Sequence, residues 1–441
     1  MKKRTIVSLL LTLAFILPLT VRAHEDKDDK DQKDRHDRDD RDRRGDRDHH
    51  DHDVDTPVRL IGVIPIPGNP IISADISWVD PGTERYYLAD RSNFGVDIVD
   101  AESNFFVGRV DGMAGPLPSG GGTTTTNGPG PNGVLVTPNR KLWAGDGNST
   151  TRVADVDPDS PRYLQIIGNI STAIAACDDG TPTGHYCGRA DELGYDPREH
   201  VIMIANNAPR SKVPPHLPID PYATFISAIS PYAVLGHLAF KDAGGLEQPL
   251  WDAELHRFWI TVPGPTGGNP RVDRVNPITM KVDKTYTLNC TVLTGTPSAG
   301  ITGIALAPFQ HLLVAACGKP IILSALTGHV FNVIQEVGGG DEVWYNSGDG
   351  NFYVTGVSNT PPKPPEQSLG VIDAETSTWL QNVSDVRGRN PSAFAENNHI
   401  FNTVSTTAVP IPNESVCSPF GLNGRGCIAV FGHVGDGEDE K

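Results

Sequence analysis

A short block recurs seven times along this 441-residue chain: a polar residue, a few apolar ones, a turn, then a hydrophobic strand. The clearest copies are Asp75-Ile-Ser-Trp-Val-Asp80, Asp191-Glu-Leu-Gly-Tyr-Asp196, Glu247-Gln-Pro-Leu-Trp-Asp252 and Asp341-Glu-Val-Trp-Tyr-Asn346. Weaker copies begin at Asn132, Thr302 and Pro391, so the units run from 39 to 59 residues. Repeats of this length build radial or stacked arrays, because no single unit can bury its own apolar face. The second half of a unit is also recognisable, as in Gly95-Val-Asp-Ile-Val-Asp100 with Phe105-Phe-Val-Gly-Arg-Val110, and again in Gly370-Val-Ile-Asp373 with Thr378-Trp-Leu-Gln-Asn-Val383. Four short strands per unit make one propeller blade.

The expectation is therefore an all-β, seven-bladed β-propeller, with six or eight blades as the open alternatives. Strand-like runs and the turn residues of 46 Gly and 37 Pro agree with it. The last unit ends at Cys427-Ile-Ala-Val-Phe-Gly432 without an obvious fourth strand, while the first strand, Val58 to Ile66, has no blade of its own. Pairing these two closes the circle and removes both sheet edges.

Residues 1–23 read as a secretory signal: Lys2, Lys3 and Arg4, an apolar run from Ile6 to Leu19, and Val21-Arg-Ala23 as the cleavage site. Residues 24–55 follow as a low-complexity leader, in which every residue except Gln32, Gly45 and Val54 is charged or His. Such a segment cannot form a core, and it is expected to be a solvated spacer. His49, His50 and His52 could also loosely capture transition metals. The propeller is assigned to 56–435 and an acidic tail to 436–441.

Losing the four bases of the signal takes the net charge from −17 to −21. That excludes nucleic acid and anionic lipid as natural partners, since both need a basic face. No segment of the mature chain reads as a membrane span. The expected product is a secreted or periplasmic monomer.

Six cysteines in an exported chain suggest three disulfides, with 15 pairings open. Proximity favours Cys177–Cys187 and Cys417–Cys427, which leaves Cys290 with Cys317.

The connections are unequal. Turns such as Asp80-Pro-Gly-Thr-Glu84, Ser347-Gly-Asp-Gly350 and Asp373-Ala-Glu-Thr376 are short. Long insertions fall at 111–131, 169–190 and 289–300, between blades, and at 207–223, 357–368 and 403–426, between second and third strands. In an antiparallel blade these two connection types emerge on the same face, which also holds the cysteines. Scaffolds concentrate function on the loops of one face.

The leading polar residues stand where the innermost strands begin, at the channel mouth on that face. Asp75, Asn132, Asp191, Glu247 and Asp341 should converge there, with Asp90, Asp146 and Asn206 behind them. Strand alternation is expected to turn Glu192, Gln248 and Glu342 away from the channel neighbours. Four carboxylates around one channel must either hold protons or be compensated by a cation. Oxygen donors with one amide suit Ca²⁺, with Mg²⁺ or Mn²⁺ as alternatives. A water-filled mouth whose acids cap loop amides is the ion-free reading.

The chain resembles the SMP-30/gluconolactonase family of propeller hydrolases at these residues. Glu247-Gln-Pro-Leu-Trp-Asp252 is similar to that family's Glu-Gly-Pro-x-Trp-Asp segment, whose Glu ligates metal. Asn132-Gly-Val-Leu-Val-Thr-Pro138 with Lys141-Leu-Trp-Ala-Gly-Asp146 is similar to its Asn-Gly segment, whose Asn also binds metal. The strand pairs that end each blade resemble YVTN-type propellers equally well. The first resemblance implies metal-assisted hydrolysis of a lactone or related ester, with Asp341 or Asp191 taking a proton from bound water. The family is usually six-bladed, and here Thr302 stands where Asn or Asp would be welcome, while Asp341 is followed by Glu342 and not Gly. The alternative is a non-catalytic propeller that binds a small molecule or an envelope protein through its loop-rich face.

Gly128-Pro-Gly-Pro-Asn-Gly133 has dinucleotide-fingerprint spacing but carries two prolines and no helix pattern. His200, His256, His311 and His399 recur at the opposite-face turn, far from the mouth. Trp78, Trp143, Trp251, Trp259 and Trp344 lie in strand patterns and read as blade packing.

Overall fold

A computed structural model describes residues 57–115, 130–147, 149–177, 189–207, 209, 217–265, 268–296, 300–360, 367–384, 388–406 and 416–433. The signal, the leader, the acidic tail and Cys187 lie outside the described residues.

Seven antiparallel sheets form, one per repeat. Blade 1 comprises Ser77–Asp80, Arg85–Asp90, Gly95–Asp100 and Phe105–Asp111, and blade 2 Val134–Thr137, Lys141–Asp146, Thr150–Asp155 and Ile166–Ser171. Blade 3 runs from Arg189–Asp196 to Val234–Ala239, blade 4 from Pro249–Asp252 to Lys281–Thr287, and blade 5 from Ile304–Ala307 to Val330–Val333. Blade 6 holds Val343–Asn346, Asn351–Ser358, Gln367–Asp373 and Thr378–Ser384, with Val337–Gly338 also pairing on Asn351–Ser358. Blade 7 takes Gly388–Phe394, His399–Val404 and Cys427–His433 from the end of the chain and Val58–Ile64 from its start. The closing pair is antiparallel, from Val58 opposite His433 to Ile64 opposite Ile428. The expected closure is thus the one that forms.

What holds the ring is visible in its apolar clusters, because each major one lies between two neighbouring blades. Trp259, Val272 and Tyr286 of blade 4 meet Leu313, Ile321 and Leu323 of blade 5. Ile64 and Phe401 of blade 7 meet Val79 and Tyr86 of blade 1 in the same way. A blade buries its faces only against its neighbours, which is why the array must close. Trp143 and Trp259 are fully buried, and Trp78 stands edge-on to Trp344, so the tryptophans pack the blades as expected. His200, His256 and His311 are left-handed turn residues (φ 53°, 54° and 52°), whereas His399 begins a strand one position after the left-handed Asn398.

Two disulfides are present among the described residues, Cys417–Cys427, as expected from proximity, and Cys290–Cys317, as expected from the cysteines left over. Cys177 is buried, and its expected partner Cys187 is not among the described residues. The first bridge ties the segment after blade 4 to the end of a blade 5 strand across 27 residues, and the second spans 10. In the chain-entropy model these loops correspond to about 3.5 and about 2.7 kcal/mol. The double substitution Cys290→Ser/Cys317→Ser should therefore lower the unfolding free energy by about that larger amount, and with it the urea midpoint, while Cys417→Ser/Cys427→Ser should lower it less. Equal midpoints for all three proteins would contradict this assignment. Among the described residues no helix is long and apolar enough to cross a membrane.

Candidate functional site: the channel mouth

The leading residues of four units are held by the strand behind them. The backbone N–H groups of Asp75, Asn132, Glu247 and Thr302 donate to Ala89, Gly145, Thr261 and Ala316, at 2.9, 2.8, 3.1 and 2.9 Å. Neighbouring blades are then sewn together at this level. Ile76 N–H donates to Asn132 O (3.3 Å) and Gly133 N–H to Asp191 O (3.2 Å), and the Thr302 hydroxyl donates to Gly340 O. Glycine follows the leading residue in blades 2 and 5 for a steric reason. A Cβ on Gly133 would lie 2.4 Å from Glu192 Cα, and one on Gly303 2.6 Å from Glu342 Cα. The Asp-Glu pair of the next blade is thereby pressed against its neighbour.

All five expected residues are brought to this mouth. The carboxylates of Asp75, Asp191, Glu247 and Asp341 influence one another electrostatically, which places them around one space. The sequence reading missed their counter-charges. Arg91, only 4% exposed, donates from Nη2 to Asp75 and from Nη2 and Nε to Asn132 Oδ1 (2.6 and 3.1 Å). Asn132 in turn donates to Ala190 O at 2.9 Å. Arg189 Nε donates to Asp191 Oδ2 at 2.7 Å. Asn207 bridges blades 3 and 4, donating to Asp191 Oδ2 (3.3 Å) and Glu247 Oε1 (3.4 Å). Arg389 stands 4.0 Å from Asp341, with 66% of its side chain exposed against 40% for the acid. A signal for two of these arginines is present in the repeats: Arg189 and Arg389 each lie two residues before a leading position.

Asp90, Asp146 and Asn206 do not join the ring. Asp90 caps the turn at Ser92 and Asn93 (2.8 and 3.2 Å), Asp146 accepts from Ala114 N–H (3.0 Å) and Arg152 (2.9 Å), and Asn206 donates to Thr172 (2.7 Å). They anchor the loops that frame the mouth.

One expectation is overturned. Gln248 and Glu342 do not turn away from the channel. Glu342 of blade 6 accepts from Gln248 of blade 4 (3.4 Å) and from Ser77 N–H of blade 1 (3.5 Å). Blades two apart can meet only across the centre. In blade 3 the pairing register shifts between Ala190 and Leu193, so a bulge at Asp191-Glu192 breaks the simple alternation.

Burial pushes the Asp191 carboxyl above its ordinary range, with Arg189 working against it. Glu192 and Glu342 are raised well above theirs, again chiefly by burial. Burial, then the charge of Asp191, pushes Glu247 up from 4.5 to about 8. A carboxyl that holds its proton longer in the folded protein binds more protons there than unfolded. Its contribution is therefore intact at low pH and is lost as pH rises from about 4.5 to about 8. Glu247→Gln should remove this loss, so its melting temperature should gain on wild type as pH goes from 5 to 8.5. A constant difference between the two proteins would contradict it.

For a hard cation at the mouth, the fit of these residues is poor. Guanidinium groups already meet Asp75, Asn132 and Asp191, and among the described residues no three His, Cys, Asp or Glu side chains are grouped to hold a metal. Glu247 and Asp341 are the acids left to contribute.

No family model and no curated protein sequence matches the chain. In three dimensions it is similar to a chain in a crystal structure of a mitotic checkpoint complex, with a TM-score of 0.52 and 12% identity. The likeness covers 89% of this chain and 96% of that one. At such identity it carries the propeller fold alone, and no family model or curated sequence singles out the SMP-30 or the YVTN family.

Proposed function

We propose that this chain is an exported, non-catalytic binding propeller whose channel mouth holds a small zwitterionic ligand, such as an amino acid or short peptide. The observation that carries this reading is the pairing of acids with arginines around the mouth. Arg91 and Arg189 neutralise the buried acids, while Arg389 and the partly exposed Asp341 present both signs of charge at the mouth. A ligand with one cationic and one anionic group can replace solvent at both. Export rests on the N-terminal signal pattern, with the disulfides in keeping with an oxidising compartment.

Calorimetric titration with glycine, glutamate, lysine and glycylglycine tests the reading. Saturable binding of at least one probe, weakened in both Arg389→Gln and Asp341→Asn, supports it. No heat from any probe would sink it. The second reading, a cation-dependent lactone or ester hydrolase, is favoured by one observation: Glu247 is pushed up to about 8, into the range of a general base at neutral pH. Turnover of lactones or esters that depends on Ca²⁺ and is lost in Glu247→Gln would establish it instead.

A further inference from the structure

The face opposite the mouth is divided by a turn that six blades share. Where the third strand gives way to the fourth, a side chain accepts from the backbone N–H two residues on and leaves that second residue at the tip. Asp155, Asp373, Ser227, Asn276 and Ser324 do so at 3.2, 2.6, 3.2, 2.9 and 3.2 Å, and Asp100 of blade 1 takes a backbone hydrogen bond from Glu102 in the same way. Asp, Asn and Ser all make this turn, so its geometry does not choose among them.

The chain nevertheless sorts them. In blades 6, 1 and 2 the acceptor is Asp and the tip is Glu375, Glu102 or Asp157. In blades 3, 4 and 5 the acceptor is uncharged and the tip is Ile229, Ile278 or Leu326, exposed to 58%, 68% and 47%. Phe309, in the turn between the first two strands of blade 5, adds a ring 86% exposed on the same face. The stretch of blade 5 from Ile301 to Gln335 holds a single charged residue, Lys319, in a chain of net charge −17. A lone exposed aliphatic side chain needs no explanation, since much of any protein surface is apolar. Three at one turn position in consecutive blades, joined by Phe309, make an apolar arc beside an acidic one, and such patches mark interaction sites.

We propose that this face docks a partner protein through a segment with large apolar side chains on one side and Lys or Arg on the other. The apolar side covers Ile229, Ile278, Leu326 and Phe309, and the bases meet the acidic tips of the neighbouring blades. Charge complementarity selects this occupant. A second copy of the chain brings the same acidic tips, and an anionic bilayer the same sign of charge.

The probe is a synthetic Leu/Lys peptide patterned as an amphipathic helix, labelled and titrated with the whole chain in fluorescence anisotropy. Saturable binding is expected, weakened roughly tenfold or more both in Ile278→Ser/Leu326→Ser and in Glu102→Lys/Glu375→Lys. These side chains are exposed, so the fold should survive their replacement. Arg389→Gln, at the mouth, should bind the peptide as wild type does, which keeps this test apart from that of the mouth. No binding, or unchanged affinity in Ile278→Ser/Leu326→Ser, would overturn the proposal. Equal binding of an all-Lys peptide would do the same, because net charge alone would then suffice. A dimer in analytical ultracentrifugation, or flotation with phosphatidylcholine vesicles, that Ile278→Ser/Leu326→Ser abolishes would also overturn it and give the arc to a second copy or to lipid.

Discussion

A chain shortened to begin at Asn69 will not fold to a stable propeller. The deletion removes Val58–Ile64, the outer strand of blade 7, which pairs along Cys427–His433. Val58, Ile64 and Ile66 are almost fully buried, and both backbone groups of Val58 are gripped by Gln381 at 3.1 and 2.8 Å. At about 1.5–3 kcal/mol for each buried aliphatic side chain, the loss is roughly 5–9 kcal/mol before any hydrogen bond is counted. That matches the whole stability of an ordinary domain, about 5–15 kcal/mol. The same deletion bares the edge of Cys427–His433, which invites pairing with other chains. Insoluble protein, or a broad melt without a cooperative transition, is expected. A sharp melt within a few degrees of wild type would show that closure contributes little.

Arg91→Met should be the most damaging single substitution at the mouth. It strips the guanidinium from Asp75 and from Asn132 while leaving both buried. Removing one partner of a buried ion pair costs about 3–5 kcal/mol, because the remaining charge is left uncompensated. The partner substitution Asp75→Asn separates this from lost packing. Placed on the Arg91→Met background, it should recover part of the stability, whereas on wild type it should destabilise. If the two substitutions simply add in denaturant melts, the pair is not the unit described above.

The architecture was legible because its determinants repeat. A polar residue before each innermost strand, a short turn on one face and the orphan strands at the two ends specify blades and closure without reference to any one side chain. Of the two described disulfides, Cys417–Cys427 was legible from its short separation, and Cys290–Cys317 as the pair left over. Convergence of Asp75, Asn132, Asp191, Glu247 and Asp341 followed from their shared position in the repeat. Their charge balance did not. Arg189 and Arg389 precede leading residues in two blades and Arg91 follows a strand in a third, so a search for what every blade shares passes over them. The facing of Gln248 and Glu342 was misread because alternation assumes a strand already under way, and these two residues precede Pro249–Asp252 and Val343–Asn346. Alternation is a sound guide within a ladder and a poor one before the ladder starts.

At the centre of this structure stand acids of the mouth met by the chain's own arginines, Arg91 on Asp75, Arg189 on Asp191 and Arg389 beside Asp341. The most direct measurement is Ca²⁺ uptake by the double variant Glu247→Gln/Asp341→Asn, compared with wild type by equilibrium dialysis. Equal uptake by the two proteins is the result expected if the arginines balance these acids. Loss of one ion in the Glu247→Gln/Asp341→Asn variant would contradict it, placing the cation at the mouth and the hydrolase reading ahead of the binding one.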